Sequence, residues 1–298
     1  MPLTVFTADR CLDHDPGPGH PESPERLRVL LERLRAEPDI PVHQALAAQL
    51  APIRRVHAPG YLDVLAALAA RGGGIIDADT VMGKGSWHAA LAAAGATLTA
   101  VRHAVSGHGH AFAAIRPPGH HALAARAMGF CFLANAVIAA REAQVLGRKR
   151  VLIVDWDVHH GNGTQSLVER DASIRYVSLH EWPAYPGTGA AIERGVGNVF
   201  NVPRAAGLPP ERYVADLTEA ILAATDGWQP DLVLISAGYD AMYDDPLGGF
   251  TLEPGHYGAL METLLARCPG QPVVGLLEGG YNPSRLADGV IATLRALI

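Results

Sequence analysis

Five short apolar runs in this sequence each end at residues whose side chains can do chemistry. Each run has the length of a buried strand, and patterns typical of helices separate the runs along the chain. This alternation predicts an α/β fold in which helices cover both faces of a parallel sheet. In open α/β sheets, sites form outside the carboxyl ends of the strands, and His, Asp or Tyr occur there in all five cases. The runs are 111–115, 151–154, 174–179, 232–235 and 273–277.

Helix signals fill the segments between these runs. The first predicted helix begins after Ser23 with a proline in its first turn, and leucines from 27 to 34 repeat at helical spacing. Alanine-rich helices are predicted near 61–70 and 86–105. There is no internal repeat and no linker long enough to separate domains, so we expect one domain over residues 1–298.

Composition excludes several classes of protein. With 24 Lys and Arg against 30 Asp and Glu, the net charge is −6, so no basic excess attracts nucleic acid or anionic lipid. Three cysteines, Cys11, Cys131 and Cys268, are too few for a disulfide framework. The N-terminus lacks a signal-peptide pattern, and no apolar stretch reaches about 18 residues. We therefore expect a cytoplasmic enzyme with no nucleic-acid or membrane partner.

The segment that follows the second run contains candidate metal ligands. On an extended backbone the side chains of Asp155, Asp157 and His159 point to the same side. Two carboxylates and an imidazole form a ligand set suited to zinc or ferrous iron. The alternative is that the aspartates cap the next helix and that His159 packs in the core.

Two adjacent histidines, His120 and His121, form the second candidate group. They follow the segment 117–119, Pro-Pro-Gly, and proline stiffens such a loop because it fixes φ. Two neutral imidazoles beside a metal can share the duties of general base and general acid near neutral pH. Taken alone, the pair would more simply be two surface histidines.

Two later motifs place further polar groups after strands. Three aspartates, Asp240, Asp244 and Asp245, follow the fourth run, and their spacing does not tell which one faces the site. After the fifth run a Gly-Gly pair precedes Tyr281, whose hydroxyl can donate a hydrogen bond to a developing oxyanion. A buried structural tyrosine is the alternative there.

Together, these motifs resemble those of the histone deacetylase family, which has the arginase/deacetylase fold. The resemblance is greatest to its class II branch and to bacterial deacetylase-like amidohydrolases. It implies a single domain with an eight-stranded parallel sheet between helix layers. The matching motifs span nearly the whole chain: GHPESPERL from Gly19, RPPGHHA from Arg116, GFCFLAN from Gly129, DWDVHHGNGTQ from Asp155, YPGTG from Tyr185, DPLGG from Asp245 and LEGGYN from Leu277.

The resemblance implies a metal-dependent amide hydrolase, with zinc as the metal and ferrous iron as the alternative. It assigns the metal ligands as Asp157, His159 and Asp245. It also implies a structural potassium ion behind the metal, at Asp155, Asp157, His159 and Ser178. The choice of Asp245 among the three late aspartates rests on this resemblance alone.

Catalytic roles follow from the same matching positions. His121 is expected to be the general base that activates water and later protonates the leaving amine. His120 is expected to be held by Asp155 and to act as an electrostatic partner, and Asn162 to orient His121. Tyr281 is expected to polarise the acyl carbonyl and to stabilise the oxyanion.

A narrow substrate channel is also implied, with Phe130 and Tyr185 as its aromatic walls. Other channel positions are Leu247, Gly129, His20 and Glu22. Because polyamine-deacetylating relatives tend to carry an acid where this chain has Leu247, we expect an acylated lysine of a peptide or protein as substrate. Glu22 could supply such a charge, so acetylated polyamines or other small acetylated amines are the alternative. The oligomeric state stays open.

Departures from the family pattern spare the catalytic positions. Ala134 and Met242 replace commoner residues. In the rim loop from Asp79 to Ser86, the unusual stretch from Val81 to Lys84 affects the expected substrate preference. A non-catalytic acyl-lysine-binding module would be expected to lack the tyrosine, a metal ligand or one of the paired histidines, and all are present. A binuclear ureohydrolase on the related fold would need further ligand aspartates at a spacing that is absent.

Overall fold

The computed structural model describes all 298 residues. The strands are β1 (Leu3–Thr7), β2 (Val42–Gln44), β3 (Gly74–Ile75), β4 (Val81–Met82), β5 (His110–Ala113), β6 (Val151–Asp155), β7 (Ile174–Glu181), β8 (Val199–Arg204), β9 (Leu232–Ala237) and β10 (Val273–Leu277). The α-helices are α1 (Pro24–Arg35), α2 (Leu50–Ile53), α3 (Pro59–Ala70), α4 (Ser86–Val105), α5 (Asn135–Val145), α6 (Asn162–Val168), α7 (Pro210–Thr225), α8 (Pro254–Arg267) and α9 (Pro283–Arg295), and a 3₁₀ helix spans Asp9–Asp13.

Eight of the strands form one sheet in which every neighbouring pair is parallel. Their order across the sheet is β2-β1-β5-β10-β9-β6-β7-β8, whereas β3 and β4 pair separately and antiparallel. The predicted α/β fold with an eight-stranded parallel sheet is therefore confirmed.

The five apolar runs form β5, β6, β7, β9 and β10, to within two residues of their predicted bounds. These five strands are neighbours in the sheet, in the order β5-β10-β9-β6-β7. Because parallel strands end at the same edge, the polar residues that follow them come together although up to about half of the chain separates them. The sheet thus assembles the site from segments distant in sequence.

Three strands of the sheet have no counterpart among the predicted runs. The strands β2 and β8 lie at its two edges, where burial is incomplete and the apolar signal is weak. An edge also tolerates Pro203 within β8, since one side of the strand needs no hydrogen-bond partner. In β1, Thr4 and Thr7 interrupt the apolar run although the strand is buried throughout.

The helices agree with the sequence signals and surround the sheet. The predicted leucine face of α1 is buried, and α3 and α4 match the two alanine-rich predictions. Helix α4 packs against β1, β5, β10 and α5, while α1, α9, α8 and α7 pack in succession and α7 contacts β7 and β8. Small side chains suit α4 because it is covered on most sides; a Cβ at Gly95 would collide with the Leu46 carbonyl. None of the helices has the length and apolar character needed to cross a membrane.

Candidate active site

Asp155 is the last residue of β6 and lies at the centre of a buried hydrogen-bond network. Its Oδ2 accepts from the Tyr176 hydroxyl at 2.9 Å and from His120 Nδ1 at 3.1 Å. Its Oδ1 accepts the backbone N–H of Asp157 at 3.2 Å. A Cβ at Gly161 would collide with the Asp155 carboxylate, so the turn into α6 requires glycine there. Asp155 therefore fixes one of the paired histidines from the end of its strand.

The paired histidines follow β5 and lie side by side. The centroids of the His120 and His121 rings are 4.0 Å apart. His121 Nδ1 is 2.8 Å from Oδ1 of Asn162, the first residue of α6. Gly129 packs against the His121 ring so closely that a Cβ would collide with it. The structure thus brings together both sequence-predicted pairs, His120 with Asp155 and His121 with Asn162.

Their surroundings shift the pKa values of the two imidazoles in opposite directions. Burial alone would lower the pKa of His120, but the carboxylates of Asp157 and Asp155 together raise it well above its usual value. Burial lowers the pKa of His121, and positive charge on His120 and His159 lowers it further. These opposite shifts favour a charged His120 beside a neutral His121, and a neutral imidazole can accept a proton.

Three buried or half-buried side chains converge as candidate metal ligands. One ligand atom from each of Asp157, His159 and Asp240 lies within 4.8 Å of the others. His159 Nδ1 is 3.2 Å from an oxygen of each aspartate. Burial raises the pKa of Asp240 to about 7, and the Asp157 carboxylate adds to this rise. Against the effect of burial, hydrogen bonds to both aspartates raise the pKa of His159 to about 10. The group thus favours positive charge, which a divalent cation would supply while His159 stayed neutral.

Asp245, the predicted third ligand, lies outside this group of three. Its Oδ1 accepts the N–H of Leu247 at 3.0 Å, and its Oδ2 accepts those of Tyr281 at 2.6 Å and Asn282 at 3.3 Å. Asp245 is nevertheless close enough for its charge to raise the pKa of Asp240. This effect is smaller than those of burial, Asp157 and His159. Two aspartates are therefore available as third ligand, and the assignment of Asp245 stays a prediction.

The four residues predicted to bind potassium occupy neighbouring positions. Asp155 and Ser178 are paired across β6 and β7, and Asp157 and His159 lie in the turn that follows. The Ser178 hydroxyl is 2.9 Å from Nδ1 of His180. Potassium binding at these residues stays a prediction.

A cavity of about 310 Å³ opens beside the histidines. The Phe130 and Tyr281 rings stand 5.8 Å apart and nearly perpendicular, and the Tyr185 ring lies 5.0 Å from that of His121. All of the lining residues except Asp79 and Ala184 are among the predicted site residues. The lining is Asp79, His121, Gly129, Phe130, His159, Ala184, Tyr185, Leu247 and Tyr281.

Comparison with known proteins identifies this arrangement. The family model of the histone deacetylase domain matches residues 20–297. The chain belongs to the histone deacetylase family. An uncharacterised protein of Synechocystis sp. is 43% identical over the full length of both chains. The histone deacetylase-like amidohydrolase of Pseudomonas aeruginosa is 33% identical over 99% of this chain and 86% of its own. The crystal structure of the HDA15 HD domain matches with a TM-score of 0.95 at 36% identity, over 99% of this chain and 87% of that chain.

Within this deacetylase-family site, one channel prediction is wrong. Glu22 has an exposed fraction of 0%, and its carboxylate contacts His14 Nε2 at 3.1 Å, Arg26 Nη1 at 2.9 Å and Arg116 Nη2 at 2.6 Å. Burial alone would raise the pKa of Glu22, but Arg116 and His14 in particular hold it well below its usual value. Ion pairing with two buried guanidinium groups draws Glu22 into the interior, so it supplies no charge to the channel.

His20 supports the channel from outside its lining. Its ring lies 4.8 Å from that of Phe130, nearly perpendicular to it, and its Nε2 is 3.1 Å from the backbone carbonyl oxygen of Asp79. His20 therefore joins the aromatic wall to the rim loop. The sequence predicted His20 as a channel residue but did not predict its contact with the Phe130 ring.

Besides Ala184, two charged residues at the site, Arg26 and Asp79, escaped the sequence reasoning. Arg26 donates to the carbonyl oxygens of Gly280 and Glu278, each at 2.5 Å, and its guanidinium lies 4.8 Å from the centroid of the Tyr281 ring. Asp79 lines the cavity from the rim loop. Arg26 falls within the GHPESPERL motif, and Asp79 begins the rim loop. The sequence thus marked both segments, but it did not indicate that Arg26 contacts Tyr281 or that Asp79 lines the cavity.

Proposed function

We propose that this member of the histone deacetylase family is a zinc-dependent enzyme that hydrolyses acyl-lysine side chains of peptides or proteins. The observation that supports this most is the cavity, which combines the aromatic rings of Phe130 and Tyr185 with the polar groups of His121, His159 and Tyr281. Apolar walls suit a chain of methylene groups, because burying them removes apolar surface from water. An amide at the end of such a chain would meet the polar groups.

The proposed zinc ligands are Asp157, His159 and Asp245. Asp240 is the alternative third ligand, because one of its atoms lies close to those of Asp157 and His159. Zinc in such a set acts as a Lewis acid towards a carbonyl oxygen and makes water a stronger acid. Two carboxylates and a neutral imidazole balance the charge of the ion. The same ligands suit ferrous iron, so the metal content is part of the test.

Proton transfer falls to the histidine pair. Neutral His121 accepts a proton from the attacking water and later donates it to the leaving amine. The Asn162 Oδ1 accepts from Nδ1–H of His121 at 2.8 Å, which leaves Nε2 to exchange the proton. The carboxylates of Asp157 and Asp155 raise the pKa of His120 well above its usual value against the effect of burial, so His120 is the charged partner that stabilises the negative charge developing on the reacting group.

Tyr281 is the proposed donor to the oxyanion. Its backbone is held by the 2.6 Å hydrogen bond to Asp245, and its ring by the Arg26 guanidinium. Burial raises the pKa of the Tyr281 phenol well above its usual value, although Arg26 opposes this rise. The hydroxyl therefore keeps its proton near neutral pH and can donate a hydrogen bond as charge develops on the carbonyl oxygen.

A second substrate class has an observation of its own. With Glu22 buried, Asp79 is the one carboxylate among the residues that line the cavity, which also include the apolar Leu247. A carboxylate there could attract the second ammonium group of an acetylated polyamine. Leu247 favours the lysine substrate, since an apolar residue gives no such attraction.

The experiment is to compare kcat/KM for an acetyl-lysine peptide and for acetylated polyamines, with protein reconstituted with zinc. We expect the peptide to be preferred, and Asp79→Asn to leave that preference in place. A preference for the polyamine that Asp79→Asn removes would establish the alternative. Absence of turnover for both substrates would contradict the proposed activity.

A further inference from the structure

Glu278 is a buried carboxyl group that the mechanism above does not use. It follows β10 directly, lies three residues before Tyr281 and has an exposed fraction of 1%. Its Oε2 accepts the backbone N–H of Gly119 at 2.6 Å and that of His120 at 3.1 Å. Its Oε1 is 3.3 Å from the Ser236 hydroxyl. The side chain is not among those that line the cavity.

The two N–H groups depend on this carboxyl group. Neither Gly119 nor His120 donates its backbone N–H to a backbone carbonyl. A buried N–H without an acceptor costs free energy comparable to a lost hydrogen bond. Burial raises the pKa of Glu278 to about 7, although positive charge on His120 and the Gly119 N–H oppose this rise. Keeping a carboxyl group here is costly, and the two hydrogen bonds offset that cost.

The loop that carries Tyr281 is fixed independently of this side chain. The Glu278 N–H donates to the Ala237 carbonyl at 3.0 Å, and the Glu278 carbonyl accepts from Arg26 at 2.5 Å. The Gly279 N–H donates to Asp157 Oδ2 at 2.8 Å. The Glu278 backbone is thus held in place, and its side chain reaches from this fixed loop to the loop of the histidine pair.

We propose that Glu278 is a positioning residue that sets the backbone of the His120–His121 pair relative to Tyr281. The inference rests on the proposed function for its effect on catalysis. His120 is then fixed at two points, its ring by Asp155 and its backbone by Glu278. Since a displacement of about 1 Å at reacting groups can cost on the order of 100-fold in rate, loss of one such anchor matters.

The test compares three variants. We expect Glu278→Ala to lower kcat by about tenfold to 100-fold, because the unpaired loop shifts His121. We expect KM to change by less than about twofold, since the channel walls are untouched. Glu278→Gln should restore most of the activity, because its amide oxygen can accept both N–H groups and its amide nitrogen can donate to Ser236. Ser236→Ala is the matched control, since it removes only the 3.3 Å contact, and should behave like wild type.

A second measurement does not depend on activity. Exchange of the amide hydrogens of residues 119–122 should be slow in wild type and Glu278→Gln and faster in Glu278→Ala. In the background of His121→Ala, Glu278→Ala should have little further effect on residual turnover, because the displaced base is already absent. A structural role alone would lower activity equally in both backgrounds.

The outcomes separate the two proposals. A wild-type protein that hydrolyses no acetylated amine but has the expected exchange pattern would refute the proposed function and support the anchoring role of Glu278. An active wild type with unchanged kcat and exchange in Glu278→Ala would overturn the positioning role. Equal defects in Glu278→Gln and Glu278→Ala, or losses explained entirely by unfolded protein, would also overturn it.

Discussion

The floor and the mouth of the cavity differ in how their side chains are held. The floor is taken as His121, which lines the cavity, together with the adjacent His120 and its partner Asp155. These three side chains are at most 4% exposed, and each has a hydrogen-bond partner within the protein. At the mouth, Tyr185 and Leu247 are 38% and 39% exposed. Fixed groups suit bond-breaking chemistry, whereas exposed groups suit recognition of whatever surrounds the scissile amide. The difference indicates that floor substitutions change turnover and that mouth substitutions change selectivity.

The difference follows from where the residues lie in the fold. The floor comes from segments directly after β5, β6, β9 and β10, adjacent strands whose ends are fixed by the sheet. The mouth comes from the rim loop around Asp79 and from the loops that carry Tyr185 and Leu247. Loops of this kind vary without disturbing the sheet, so the same chemistry can serve different substrates.

The largest expected effect is loss of the metal. Asp157→Ala and His159→Ala should each lose at least the roughly 100-fold in metal affinity that removal of a supporting contact can cost. Metal content after gel filtration checks this, with exposed Asp244→Asn as the matched control. The same measurement on Asp240→Asn and Asp245→Asn identifies the third ligand. Near-stoichiometric metal in Asp157→Ala or His159→Ala would refute the ligand assignment.

A substitution at Glu22 tests how much the buried ion pairs with Arg26 and Arg116 stabilise the fold. Glu22→Gln should lower the free energy of unfolding by about 3 kcal/mol or more, because it leaves buried cations without their partner. Since Arg116 and His14 hold the pKa of Glu22 below its usual value against the effect of burial, its stabilisation is present above about pH 4.5 and is lost as the pH falls further. The difference in the free energy of unfolding between wild type and Glu22→Gln should therefore become smaller at acidic pH.

Denaturant titrations at several pH values measure that difference. Glu25→Gln is the control, because Glu25 makes an exposed ion pair with Arg28 and should contribute about 1 kcal/mol or less. Equal stability of Glu22→Gln and wild type at neutral pH would show that the ion pairs around Glu22 do not stabilise the fold.

Removal of the Tyr281 hydroxyl should have an effect of similar size on catalysis. Tyr281→Phe should lose roughly 100-fold in kcat, equivalent to about 2.7 kcal/mol of oxyanion stabilisation. Steady-state kinetics measure this loss, with the exposed Tyr243→Phe as the control. A Tyr281→Phe variant as active as wild type would remove Tyr281 from the mechanism.

The smallest expected effect concerns the mouth. Leu247→Glu should shift the kcat/KM ratio towards acetylated polyamines by about fivefold, equivalent to about 1 kcal/mol for a partly exposed charge pair. Leu247→Gln is the control for size and polarity without charge. An unchanged ratio would place the selectivity determinant elsewhere on the rim.

Sequence reasoning predicted the residues of the cavity floor better than the buried ion pairs around Glu22 and the edge strands of the sheet. Strands that bury both faces give long apolar runs, and the residues after them carry chemistry that local spacing reveals, as around His159. The partners of Glu22 could not be predicted in this way, because Arg116 lies 94 residues away and only the folded chain brings the two together. The edge strand β8 was missed because partial burial weakens its apolar pattern.

Metal dependence of the reaction tests the central claim most directly. The measurement is acetate release from an acetyl-lysine peptide by protein stripped of metal with a chelator and then reconstituted with zinc. We predict no acetate above background from stripped protein, and full recovery as zinc approaches one ion per chain. Equal acetate release by stripped and reconstituted protein would contradict the claim that the floor is a metal-dependent amide hydrolase site.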